Sequence, residues 1–203
     1  MLASSSPYRA QQLASLGIAF DCEAADIDES PLIAEPPART ARRLARLKAE
    51  TVAERVAARA AERGAARVAE RAPDAIIIGA DQVAELDGVA IGKPGSHAAA
   101  SQQLRAMSNR ELVFHSALCV RRRSPEFLFE ATVPTRVAVR ELSDAAIDAY
   151  LRYDKPYDCA GSFRIESRGI ALMRAVTSDD PSALIGLPLI ATAAALRDAG
   201  VTV

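Results

Sequence analysis

Three consecutive β-branched apolar residues, Ile76-Ile77-Ile78, are followed by Gly79, Ala80 and Asp81. Such a run predicts a strand covered on both faces. On this reading the strand ends at Gly79 and Ala80, where low bulk lets a ligand approach the backbone. Asp81 then stands at the strand end, where open α/β sheets hold their ligands, or it caps a turn. Asp87-Gly88 marks a hairpin tip that returns Gly92-Lys93-Pro94 towards Asp81.

Helical periodicity dominates elsewhere. Ser6 and Pro7 predict a capped helix over 7–16 closed by Gly17. Leu44, Leu47, Val52, Val56 and Ala60 predict a long amphipathic helix within 37–71, or two joined near Gly64. Ser96 and Ser143 cap helices reaching Met107 and Arg152, with His97 placed on a loop, and a last helix starting at 185–188 and ending at Gly200 has Leu189, Ile190 and Leu196 among its apolar residues. Leu2-Ala3, 20–24, 111–122, 130–140 and 169–176 read as strands, the fourth alternating through Val133, Thr135, Val137 and Val139. Strands alternating with helices predict an α/β fold.

Composition narrows the class. At 203 residues the chain is long enough for one substantial core, and a net charge of −1 supplies no basic field for nucleic acid or membrane. Acids interrupt the arginines of the 37–71 helix throughout, which reads as an ion-paired solvated face. Cys22, Cys119 and Cys159 form no paired or CxxC pattern, so a reducing, cytoplasmic setting is expected. No apolar stretch approaches the roughly 18 residues of a membrane helix, and the first residues show no signal-peptide pattern. Only three of the 25 basic residues are lysines, Lys48, Lys93 and Lys155, so a compact ammonium is of interest where it persists.

The candidate chemistry is anionic-ligand chemistry. Ser4, Ser5 and Ser6 precede the first helix and Arg9 lies in its first turn. Together with free backbone N–H groups they make an anion site, or else a well-capped surface helix. Asp26, Asp28 and Glu29 crowd one loop and repel unless a cation neutralises them, so Asp28 or Glu29 can hold a divalent metal or be merely solvated. Lys48 can point from its helix into a cleft. Ala160-Gly161-Ser162 gives a low-bulk turn with Glu166 beyond it. His115 reads as an ordinary strand histidine.

The ordered series LASSSPYR (2–9), DIDES (26–30), RLKAE (46–50), IIIGADQV (76–83), GKP (92–94), DCAGSF (158–163) and DPSALIGLPLI (180–190) resembles that of the Maf nucleoside triphosphate pyrophosphatases. The resemblance spans nearly the whole chain. It implies one Maf-like domain over 1–203, an inosine triphosphate pyrophosphatase-like fold of two lobes around a central mixed sheet, a nucleotide cleft between the lobes, and often a homodimer. It implies cleavage of the α–β phosphoanhydride of a nucleoside triphosphate, with Mg²⁺ or Mn²⁺ as cofactor. Arg9, Lys48 and Lys93 are expected on the phosphates with Ser4, Ser5 and Ser6. Glu29, with Asp28 or Asp81, is expected on the metal; Asp81 is the general base or a ligand. Tyr8, Gln82 and Glu166 resemble the branch acting on 7-methyl-GTP; the branch acting on dTTP and UTP carries Arg, Thr and Gln there. A non-catalytic nucleotide-binding regulator is the rival from another class. Two places depart from the pattern: the Ala/Arg-rich insertion over about 53–73, expected to project from the body, and Ser167, where glycine is expected.

Overall fold

The computed structural model describes residues 1–62 and 75–203, so the expected join near Gly64 lies outside the described residues. Its spine is β2 (Ile77–Leu86). β1 (Leu2–Ala3) pairs parallel with the start of β2, and β3 (Val89–Ile91) pairs antiparallel with its end. The long strands β4 (Glu111–Arg122) and β5 (Phe127–Val139) follow antiparallel, and β6 (Met173–Ser178) closes the far edge. The result is a six-stranded mixed sheet in the order β1-β2-β4-β5-β6, with β3 on β2.

Five α-helices flank the sheet among the described residues: α1 (Pro7–Ala14), α2 (Pro37–Glu62), α3 (His97–Met107), α4 (Asp144–Asp154) and α5 (Leu189–Asp198). The serine caps act as expected: Ser6, Ser96 and Ser143 each accept a hydrogen bond from the backbone N–H three residues on. Three apolar clusters meet around the sheet. α2 packs Ala45, Ala49 and Val52 on Ile77, Ala117 and Cys119. On the opposite face Leu13 of α1 and Leu196 of α5 meet Ile78, Leu118 and Val120. α3 and α4 pack Leu104, Met107, Ile147 and Leu151 against Leu112, Phe114 and Val137.

Several expectations need correction. β2 does not end at Ala80, because pairing with β4 continues from Ile77↔Arg121 to Glu85↔Val113 and holds Asp81 mid-strand opposite Ala117. Gly79 does not open the backbone to a ligand; it seats α2, since a Cβ there would lie 2.2 Å from Ala45 O and 2.8 Å from Ala49 N. Residues 20–24 form only a single parallel bridge, Leu2↔Cys22, because β1 stops at Ala3 where the chain turns into α1. The strand expected at 169–176 begins later, since Arg168–Leu172 is a 3-10 turn. His97 opens α3 rather than lying on a loop, and Ile190 faces solvent because α5 buries Thr192, Ala195 and Leu196 instead. Ala53 and Val56 at the start of the Ala/Arg-rich stretch pack on the body, where Arg55 donates to Ala24 O and Ala25 O, and residues 63–73 of the expected projecting insertion lie outside the described residues. The hairpin is as expected, with Asp87 and Gly88 at φ 51° and 80°, both left-handed as a two-residue tip requires.

Candidate active site

One cleft of about 730 Å³ opens between the α2-side cluster and the Phe114–Phe163 cluster, within the size range of small-ligand pockets. It is lined from six directions: residues 3–9, the 24–31 loop, Lys48 of α2, Asp81 and Gln82 of β2, the 90–93 return of the hairpin, and 158–166.

Its charged end is built by the close approach of α2 to β2. Residues 77, 79 and 81 share the face that α2 covers. Gly79 admits the backbone of Ala45 and Ala49, which brings Lys48 onto Asp81. The Lys48 ammonium lies 2.6 Å from Asp81 Oδ1 and 2.6 Å from Glu29 Oε1. Lys48 and Asp81 are both buried, and a buried ion pair persists only when its members satisfy each other. Burial raises the Asp81 carboxyl above its ordinary value against the pull of Lys48 and Arg9, the direction that suits a base working near neutrality. For Glu29, burial is outweighed by the hydrogen bond from Lys48 and the charges of Lys48, Lys93 and Arg9, which together lower its pKa.

Arg9 emerges from the first turn of α1. Its Nε donates to Gly186 O at 3.0 Å, which ties the side chain to the 183–186 turn and leaves other guanidinium N–H groups for an anion. Burial lowers its pKa while Asp81 and Glu29 raise it; a guanidinium remains cationic regardless. Ser4, Ser5 and Ser6 line the cleft beside it. Ser4 and Ser6 also spend their hydroxyl oxygens on the chain turn, accepting from Ser6 N and Arg9 N. Lys93 is exposed at the hairpin's return and lines the same cleft. Asp28 is not brought in: its Oδ1 accepts from Ser30 N at 2.9 Å, and Asp26 and Glu29 line the cleft instead.

The other end of the cleft is aromatic and mixed in charge. Tyr8 faces Arg164, whose guanidinium carbon lies 5.8 Å from the ring centroid, and Arg164 Nη2 donates to Asp158 Oδ1 at 2.9 Å. Phe114 and Phe163 meet edge to face at 5.4 Å. Glu166 is exposed at the rim. Gln82 directs Nε2 at Ser116 Oγ, Ala183 O and Leu184 O at 2.9–3.0 Å; two carbonyls on that side fix the amide orientation and leave Oε1 as its free acceptor.

Sequence reasoning missed Arg164, Asp158 and Gln12. Gln12 donates to Ser182 O and Leu187 O and accepts from Leu187 N, locking α1 to the 182–187 segment. Its signal was present as a polar residue beside Leu13 on the inner side of α1. Arg164 and Asp158 carry no signal beyond their place in the 158–166 stretch.

Among the described residues no group of three or more His, Cys, Asp or Glu side chains is placed to hold a metal ion. Glu29 and Asp81 converge as two hard carboxylates, which fits a divalent cation whose remaining ligands are phosphate and water oxygens. No described helix is long and apolar enough to cross a membrane.

A mixed-sheet α/β fold with a cleft that joins clustered cations to paired carboxylates defines an anion-binding site equipped for acid–base chemistry. The chain belongs to the Maf family: residues 1–199 match the family described as Maf-like protein. Among its relatives is the 7-methyl-GTP pyrophosphatase of Cupriavidus pinatubonensis, 49% identical over 200 residues that cover 98% of this chain and 92% of that protein. The protein of the same name from Burkholderia pseudomallei is 49% identical over 98% of this chain and 87% of its own. The one from Methylobacillus flagellatus is 46% identical over 100% and 97%.

Proposed function

We propose that this protein hydrolyses 7-methyl-GTP to 7-methyl-GMP and pyrophosphate, working as a two-lobed enzyme on the cleft described above. The observation that carries the reaction is Lys48 bridging Asp81 and Glu29 at 2.6 Å on each side within reach of Arg9 and Lys93. A triphosphate brings about four negative charges, which cations must offset before a nucleophile can approach. Arg9, Lys48 and Lys93 take the phosphates, with Ser4, Ser5 and Ser6 at the start of α1. Asp81 takes a proton from a water that attacks the α-phosphorus; the bond to the bridging oxygen breaks and pyrophosphate leaves. Glu29 is the residue that would hold Mg²⁺ or Mn²⁺, with Asp81 kept as the base; the ion would supply Lewis-acid neutralisation of phosphate charge when bound.

The base preference rests on the opposite end of the cleft and on the names of the relatives, 7-methyl-GTP pyrophosphatases. Methylation at N7 leaves guanine cationic, and the Tyr8 face attracts a cation. Glu166 accepts hydrogen bonds from N1–H and the exocyclic amine, its charge favouring a cationic base. Gln82 offers Oε1.

The test is pyrophosphate release from 7-methyl-GTP, GTP, dTTP and UTP with Mg²⁺ or Mn²⁺, for the wild type and Asp81→Asn. The expected result is a preference for 7-methyl-GTP and a fall in kcat of about 10²–10⁴-fold in the variant. Preference for dTTP or UTP overturns the base assignment and keeps the reaction. No release from any of the four favours a nucleotide-binding regulator.

A further inference from the structure

We propose that Arg164 is a specificity residue: it fills the cation-binding face of Tyr8 while the cleft is empty, and the cationic base displaces it. This rests on the 7-methyl-GTP reading above.

The placement of Arg164 is that of a resident cation. Its guanidinium lies over the Tyr8 ring at 5.8 Å and is tethered by Asp158 at 2.9 Å. Tyr8, Asp158, Arg164 and Glu166 all line one cleft. Arg164 thus already covers one face of the ring proposed to attract the methylated guanine. Two cations cannot share it without repulsion, whereas a neutral guanine tolerates a guanidinium stacked against it.

Among the described residues the side chain is held by Asp158 and Cys159 alone, whereas the backbone is pinned. Arg164 N donates to the Tyr150 hydroxyl at 2.9 Å, and Tyr150 is buried in the α4 packing. Gly169 presses on the same residue, since a Cβ there would lie 2.2 Å from Arg164 O. The loop is thus pinned at Arg164, and exchange takes place by side-chain rotation. In the resident pose Arg164 Nε is buried with no hydrogen-bond partner, an arrangement that disfavours the pose. Asp158 is exposed, so the ion pair that holds Arg164 is of the weak, solvated kind. Rotation into solvent hydrates Nε and leaves Asp158 and Glu166 to face the incoming positive base.

The experiment is an equilibrium titration of 7-methyl-GTP and of GTP into the protein with the divalent metal chelated, so that nothing turns over. The readout is the ratio of the two Kd values, GTP over 7-methyl-GTP, because any change in attraction for the triphosphate cancels in it. Arg164→Met keeps the length of the side chain and removes the charge. The expected ratio rises roughly threefold to tenfold, and Arg164→Lys stays near the wild type. In a Tyr8→Leu background the effect of Arg164→Met vanishes, since there is no ring face left to contest. An unchanged or lower ratio in Arg164→Met, or a rise of the same size in Arg164→Lys, overturns the proposal. A wild-type ratio of one overturns the base reading itself, and this proposal with it.

Discussion

At the scale of single residues, the cleft separates two kinds of charge work. In the Lys48, Asp81 and Glu29 trio, Lys48 and Asp81 are buried while Glu29 is half exposed, so the buried pair depends on its mutual contact. The Glu166 carboxylate is exposed, and the role proposed for it is recognition. Glu166→Gln removes the charge and keeps the shape. Its expected effect is a loss of kcat/KM for 7-methyl-GTP of about 10-fold to 100-fold, the worth of a charge-assisted hydrogen bond to a base edge. dTTP and UTP turnover should change far less. Parallel kinetics on the two substrate classes check this, and equal losses on both would remove Glu166 from base recognition.

At the scale of elements, the contact that matters most is α2 on β2. The Gly79 hydrogen faces the α2 backbone, and Lys48 and Asp81 flank that contact on the two elements. Gly79→Ala places a methyl against Ala45 O and Ala49 N, so α2 must move outward. The expected cost is about 2–3 kcal/mol from overpacking, a fall in Tm of about 4–12 °C. Because Lys48 rides on α2, kcat should fall by about 10²-fold from misplacement alone. A variant with lowered Tm and full kcat would show that the helix seat is structural only.

At the scale of the whole molecule, the N-terminal helix is held by a segment about 175 residues away in sequence. Gln12 satisfies Ser182 O, Leu187 O and Leu187 N. Asp180 and Ser182 in turn accept from Ile190 N and Leu189 N at the start of α5. Gly186 of the same segment accepts from Arg9, and Ala183 and Leu184 accept from Gln82. One segment thus positions both Arg9 and Gln82, the residues proposed for the phosphates and the base. Gln12→Leu leaves the buried Leu187 N–H unpaired, while Ser182 O and Leu187 O keep Ile185 N and Ser182 Oγ as donors, at about 1–3 kcal/mol, a fall in Tm of about 2–12 °C. KM for the triphosphate should rise through Arg9 as well. Thermal unfolding and steady-state kinetics check the two arms, and an unchanged KM would separate the latch from the site.

The sequence alone determined the elements whose causes are local. Serine caps, the Asp87-Gly88 tip and the alternation along β5 are written within a few residues of where they act. The ordered motifs pointed to the family and to Arg9, Lys48, Asp81 and Lys93, and these residues line one cleft. What only the tertiary structure decided depended on pairing between distant segments. Asp81 lies mid-strand because β4 continues the ladder beyond it, a property of residues 113–121 rather than of Asp81's neighbours. Residues 20–24 lack a strand because β1 offers too short a partner. Asp28 gave way to Glu29 because only Glu29 meets Lys48. Arg164 came to rest on Tyr8 through a fold that joins residues 156 positions apart, and no local pattern encodes such a contact.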